Sequence, residues 1–230
     1  INLDVYVVSV EDAFVQVSMR ASVESLLLLA FEFCGTYSLL PDGSFVAARS
    51  LTSVRRLANR VDALAPFPGS AKAATALRYA FDGAASPAEA KLAMLLCLRQ
   101  TLGGYGFPAP RMNWRVDVTG DARKFTPCKF FVLDLFWPDA MLDVEYDSNA
   151  FHRSPGALAS NAERRNALQA MGYTVITVTH DQMASPDLFD DAARAIAKAL
   201  HIRVRHSSKR WPRMRYDLRR RIDNPGNLLL

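Results

Sequence analysis

The chain is poor in cysteine. It has three in 230 residues, Cys34, Cys97 and Cys128, and no Cys-x-x-Cys pair. That spacing excludes a dense secreted disulfide framework and a structural zinc knuckle. Free thiols fit a reducing cytosol, so a cytoplasmic location is expected. Long apolar runs are also missing: the longest, around Leu26 to Phe31, is far below the roughly 20 residues that cross a bilayer. No basic leader with an apolar segment and a small-residue cleavage site opens the chain. It begins with Ile1 rather than Met, as expected of a segment of a longer protein. There is no Walker loop and no Gly-x-Gly-x-x-Gly. Gly103-Gly104-Tyr105-Gly106 is followed by no helix signal, so it is given no phosphate-binding role. Internal repeats and low-complexity stretches are absent. What is present is globular: with 50% hydrophobic and 22% charged residues, the chain can build a core and does not read as disordered.

An excess of positive charge is lacking over most of the length. Residues 1–85 hold 7 Lys/Arg against 8 Asp/Glu, and residues 86–198 hold 12 against 13. Residues 199–230 hold 9 against 2, so the whole net charge of +5 comes from the C-terminal segment. Arg210, Arg213, Arg215 and Arg219 lie there with Trp211 and Tyr216 between them. Arginine forks and aromatic plates suit a polyphosphate backbone, so a basic DNA-binding tail over 201–230 is expected. A solvated basic tail or helix is the plainer alternative. A membrane-surface role is disfavoured by the lack of a sustained apolar face.

Periodicity divides the rest at the Asp-Gly-Ala-Ala-Ser stretch, 82–86. The first part, 1–85, reads as a small, mostly helical α+β region. A strand is expected over Leu3 to Ser9 and helices over Val23 to Phe33, Leu57 to Leu64 and Lys72 to Phe81, with a short strand near Phe45. The second part, 86–200, is more regular. Ser86-Pro87-Ala88-Glu89 opens a helix as a capping box with proline at the first helical position. Strands follow at 113–118, 130–136 and 141–146, then a helix over 157–171, a strand over 173–178 and a helix over 188–200. The order α-β-β-β-α-β-α implies a mixed sheet flanked by helices, an α/β (α+β) fold.

One acid stands out. Asp134 sits within Phe130-Phe131-Val132-Leu133-Asp134-Leu135-Phe136, where an ionised carboxylate is costly unless it is paired or bound to a cation. In Asp143-Val144-Glu145-Tyr146-Asp147, alternation puts three acids on one strand face. A hairpin through the Pro138 turn would set Asp134 beside Glu145. Close carboxylates are relieved by a shared proton or by a divalent metal.

The order of these features resembles the very-short-patch-repair-like branch of the restriction-endonuclease-like PD-(D/E)xK superfamily. The residues that carry the resemblance are Ser-Pro-x-Glu (86–89), Val-Leu-Asp-Leu-Phe-Trp-Pro-Asp-Ala (132–140), Leu-Asp-Val-Glu-Tyr-Asp-Ser (142–148), Phe-His (151–152), Arg-Arg-Asn-Ala-Leu (164–168) and Met-Gly-Tyr-Thr-Val-Ile-Thr-Val-Thr (171–179). The resemblance implies a restriction-endonuclease-like mixed sheet and a bacterial DNA endonuclease using Mg2+ or Mn2+. It makes Asp134 and Glu145 the catalytic, metal-binding acids and Glu89 an assisting helix acid. Asp147 becomes a further metal ligand, standing where the broader superfamily has its lysine. His152 is implied as the proton-transfer group, and Arg164 and Arg165 as phosphate ligands. Ser148 and Asn161 depart from the pattern, where glycine and aspartate are expected. Around Phe14-Val15-Gln16 and Phe33-Cys34-Gly35-Thr36-Tyr37, the first part looks like the linker of proteins that join an abortive-infection antitoxin-like module to such a domain. The expected partners are DNA and a second copy of the chain, with no membrane. The alternative is a non-catalytic DNA-binding regulator of toxin–antitoxin type that keeps the nuclease fold.

Overall fold

The protein is described here as a computed structural model covering residues 7–148, 155–204 and 209–223. It forms two compact units. One is built from residues up to Pro87 together with those from Arg219 onward, the other from Ala88–Leu218.

The first unit is mainly helical. Its helices α1 (Val10–Ser18), α2 (Val23–Cys34), α3 (Val54–Leu64) and α4 (Ser70–Leu77) are joined by a hairpin of β1 (Tyr37–Leu39) and β2 (Phe45–Ala47). The helices start where side-chain oxygens can serve free amides: Ser9, Ser22 and Ser53 each accept from a backbone N–H in the first turn. Phe14, Leu26, Leu27, Phe31 and Leu57 fill the core. The strand expected over Leu3 to Ser9 is not found in its described part. Ser9 caps α1 instead, with Glu11 and Asp12 favouring the helix start. Gly35 follows α2 as its C-cap in extended conformation, and only glycine fits there, since a Cβ would lie 2.5 Å from the carbonyl oxygen of Phe31 and 2.7 Å from that of Ala84.

The second unit is an α+β fold around a mixed four-stranded sheet. After α5 (Pro87–Cys97) come β3 (Arg111–Asp117), β4 (Phe130–Trp137) and β5 (Leu142–Asp147), then α6 (Pro155–Ala170) and β6 (Thr174–Thr179). The sheet order is β3-β4-β5-β6. The first two pairings are antiparallel and β5–β6 is parallel, as a crossover through α6 requires. Val116, Phe131, Leu133 and Phe136 pack on Ala167 and Leu168 of α6. Two helices follow, α7 (His180–Ala184) and α8 (Pro186–Ala199).

The C-terminal segment, where described, includes a packed helix. Helix α9 (Trp211–Asp223) buries Trp211, Leu218 and Ile222 along one stripe. Trp211 donates its indole N–H to the Gly104 carbonyl (3.1 Å) and meets Tyr105 edge-on, at 5.3 Å between ring centres. A Cβ at Gly103, whose φ is +93°, would come within 2.4 Å of the Met214 carbonyl oxygen. The glycine-rich loop is thus a seat for a helix. No helix among the described residues is long and apolar enough to cross a membrane.

Candidate active site

The site forms where two strands part. The β4–β5 ladder runs through Trp137–Leu142, Phe136–Asp143 and Leu135–Val144 and then stops. One more step would set Asp134 opposite Glu145. There, side chains replace the ladder. The Tyr146 N–H donates to Oδ2 of Asp134 (3.0 Å), and an Arg164 N–H donates to the Val132 carbonyl (2.6 Å). The β3–β4 ladder lapses at the same level: Met112 pairs with Leu135 and Trp114 with Leu133, but Asn113 lies between them at φ +46°. Asn113 donates its amide to Oε2 of Glu89, on α5, at 2.5 Å. Four elements therefore converge on Asp134.

Burial and mutual repulsion set the electrostatics. Asp134 is pushed up to about 7, first by burial and then by Glu89 and Glu145. The Tyr146 N–H and Arg164 oppose the shift. Asp143, expected on the same face as Glu145, is 0% exposed, and neither of its oxygens has a hydrogen-bond donor. It is pushed up to about 9, first by burial, then by Glu145 and Asp134. The Glu145 carboxyl near it is an acceptor too, so burial and that neighbour both favour the protonated form of Asp143. Arg164 is the cation of the cluster. Its Nε donates to Oε1 of Glu145 at 2.8 Å, its Nη2 reaches the same oxygen, and its guanidinium lies 4.9 Å from the centre of the Phe131 ring.

Glu89, Asp134 and Glu145 are thus brought together. Asp147 stands apart at the end of β5, in register with Thr179. It lines a recess of about 60 Å3 with Glu145, Asn161, Arg164 and Arg165. His152 lies outside the described residues. Arg165 is exposed on α6, whereas Arg164 is held by Glu145 and does not present a free guanidinium to phosphate. Of the C-terminal arginines expected on DNA, Arg210 and Arg213 are exposed. Arg215 is turned inward to Asp187 (3.1 Å) and Asp190, and Arg219 is only 8% exposed. Arg215 thereby ties α9 to α8, with its guanidinium 5.3 Å from the centre of the Trp211 ring.

Sequence reasoning missed two groups and gave a third no role: Asp143 was named only as one of three acids on a strand face. Asn113 carried no signal. His180, whose Nδ1 lies 3.2 Å from the Tyr146 hydroxyl, carried none either, since it becomes adjacent only through the parallel pairing of β5 with β6.

As they stand, no three His, Cys, Asp or Glu side chains among the described residues are arranged to hold a metal ion. Glu145 is engaged by Arg164 and Glu89 by Asn113. The donor chemistry nonetheless suits a hard divalent cation: carboxylate oxygens, two acids driven toward protonation, and an orphaned buried carboxylate.

No family model matches the chain, and no solved structure does. It is similar to two uncharacterized Mycobacterium tuberculosis proteins, MT2308 of strain CDC 1551 / Oshkosh and Rv2248 of strain ATCC 25618 / H37Rv. Each is 27% identical over 105 residues, 44% of this chain. The match spans 33% of the length of each relative.

Proposed function

We propose that the chain is a divalent-metal-dependent DNA endonuclease-like protein of the PD-(D/E)xK, very-short-patch-repair-like type, hydrolysing phosphodiester bonds. One observation carries the reading: Glu89, Asp134, Asp143 and Glu145 are gathered at the parting of β4 and β5 with Arg164 as the cation among them. Such a cluster is destabilising by itself and is relieved by a cation. Asp134 and Glu145 would hold Mg2+ or Mn2+, and Asp147, two residues farther along the same strand face as Glu145, is the further ligand of this reading. When bound, the metal supplies Lewis-acid polarisation of the phosphate and a more acidic attacking water.

The chain's own residues do the rest. The Tyr146 N–H fixes one oxygen of Asp134 and leaves the other to a ligand. Asn113 orients Glu89 toward Asp134. Arg164 turns Glu145 and moderates the repulsion until the cation arrives. His152 is the proton-transfer group in this reading. Arg165, Arg210 and Arg213 are the arginines proposed to meet DNA.

A second reading has its own support. The Arg164–Glu145 pair occupies a required ligand, and no lysine stands at 147. Both fit a non-catalytic DNA-binding regulator. The deciding experiment measures melting temperature with Mg2+ against EDTA, together with nicking of supercoiled plasmid. For the enzyme, Mg2+ raises the melting temperature and supports nicking, and Asp134→Asn abolishes both. Metal stabilisation without nicking selects the regulator. No metal effect in either protein refutes both the metal site and the enzyme.

A further inference from the structure

The hairpin of the first unit has one occupied edge and one open edge. The Leu40 N–H donates to the Ser44 carbonyl (2.8 Å) and the Ala48 N–H to the Thr36 carbonyl (2.9 Å). Between them the register runs Tyr37–Ala47, Ser38–Val46 and Leu39–Phe45. Antiparallel pairs alternate between bonded and unbonded, so Tyr37–Ala47 and Leu39–Phe45 are unbonded and their backbone groups point outward. On β1 the outward N–H of Leu39 is taken by Oε1 of Glu32, from α2, at 2.9 Å. On β2 the outward groups of Phe45 and Ala47 have no partner among the described residues. All three β2 residues are exposed, Phe45 at 49% and Val46 at 45%, and Leu39 and Leu40 across the ladder are exposed as well. Strand edges are ordinarily blunted by charge, proline, a bulge or a covering element. Phe45-Val46-Ala47 carries neither charge nor proline, and nothing among the described residues covers it.

Such an edge is completed by an antiparallel strand, and β2 is its own complement. About a two-fold axis at Val46, Phe45 falls opposite Ala47 of the other copy, so a large side chain meets a small one on both sides of the axis. Each of these pairs can exchange both of its N–H···O bonds through the groups left free. Val46 then faces Val46. The same register carries Arg49 of each copy level with Gly43 of the other, beside Asp42. Arg49 and Asp42 are exposed, and neither has an ion pair in its own chain among the described residues. The N–H and hydroxyl of Ser44 both donate to Oδ1 of Asp42 (2.9 and 2.6 Å), which holds this carboxyl below its usual range and leaves Oδ2 to a cation. We propose that the open edge of β2 joins two copies of this chain, β2 against β2, into one four-stranded antiparallel sheet. A foreign strand would have to bring matching charges at this spacing, whereas the chain already carries them. Three residues per strand make a short interface, so the dimer should form and separate with concentration rather than be permanent. The pairing involves the first unit alone and holds whether or not the acid cluster binds metal.

The test is sedimentation equilibrium of the full chain over about 5–500 µM, at low salt, where exposed charges are least screened. The mass should rise from one copy to two. Val46→Lys sets like charges face to face across the axis and should weaken the dimer about 10-fold or more. Arg49→Glu and Asp42→Lys, each alone, turn attractions into repulsions and should weaken it about 4-fold or more. Mixed one to one, these two variants should recover the wild-type association, because every contact between positions 49 and 42 then joins opposite charges. Folding of each variant is checked by circular dichroism. Arg49 and Asp42 lie on the surface, so the mixing arm decides the matter if Val46→Lys fails to fold. A wild type that stays at one copy throughout overturns the proposal and leaves the edge to a strand from another protein. A folded Val46→Lys that dimerises as well as wild type overturns it too, since the copies then meet elsewhere. So does a mixture of Arg49→Glu and Asp42→Lys that associates no better than either alone. Asp134→Asn should dimerise as wild type does, so the pairing and the nuclease reading stand or fall separately.

Discussion

Asp143→Asn in an EDTA buffer, followed from pH 5 to pH 9, tests the electrostatic core of the site. Asp143 titrates near 3.8 when unfolded and is pushed up to about 9 in the fold. Between those values the folded state holds one proton more than the unfolded state. Stability from such a group is complete below the unfolded value and is lost as pH rises through the folded one. The rate of loss is about 1.4 kcal/mol per pH unit, so from pH 5 to pH 8 the wild type should fall by about 4 kcal/mol relative to the variant. For a chain of this size that corresponds to roughly 8–16 °C in melting temperature. Asparagine mimics the protonated acid in shape and can donate to Glu145, so the two proteins should be close at pH 5 and diverge above it. The assay is thermal unfolding by circular dichroism at unit pH steps. Adding 10 mM Mg2+ should flatten the wild-type descent if a cation can replace the proton. Parallel curves for the two proteins in EDTA, with no divergence between pH 5 and 8, would refute a proton held on Asp143.

Other substitutions probe the same physics elsewhere. Arg164→Gln removes the cation that faces Glu145 and should cost about 1–3 kcal/mol, more at pH 8 than at pH 5, as read by urea denaturation at both values; equal losses would contradict the repulsion argument. Trp211→Ala should cost about 3–5 kcal/mol by the same measurement, because it empties the seat of α9 and strands the Gly104 carbonyl; a loss below 1 kcal/mol would show α9 to be loosely held. Gly103→Ala should destabilise by about 1–3 kcal/mol, since a left-handed φ and the Met214 carbonyl both oppose a methyl group, and an unchanged denaturation midpoint would contradict that. His152→Ala should slow any nicking while sparing the Mg2+-induced rise in melting temperature; loss of that rise would make His152 a ligand instead.

Local patterns determined much of this protein. The apolar run at 130–137 and the alternation at 142–147 are strands because side chains on a pleated chain repeat every two residues. Helices such as Val54–Leu64 begin at a capping serine because free amides need an acceptor nearby. Asp134 was conspicuous from sequence because a carboxylate among phenylalanines and leucines has no local remedy. The same arithmetic named Asp143, Glu145 and Asp147 as one face but could not say which would be buried. That was decided by the ladder, which sets Asp143 beside Phe136 and ends one step before Asp134 and Glu145. Arg164 reaches Glu145 from 19 residues away only because α6 crosses back over the sheet before β6 pairs with β5. The C-terminal arginines read as a tail because their charge outweighed the apolar Trp211 and Leu218; the seat at Gly103 and Gly104 that receives those two lies a hundred residues earlier. Periodicity is a property of neighbours along the chain. The partner that meets each face, and hence the protonation state of each acid, depends on which elements arrive from elsewhere, and only the tertiary structure supplies that.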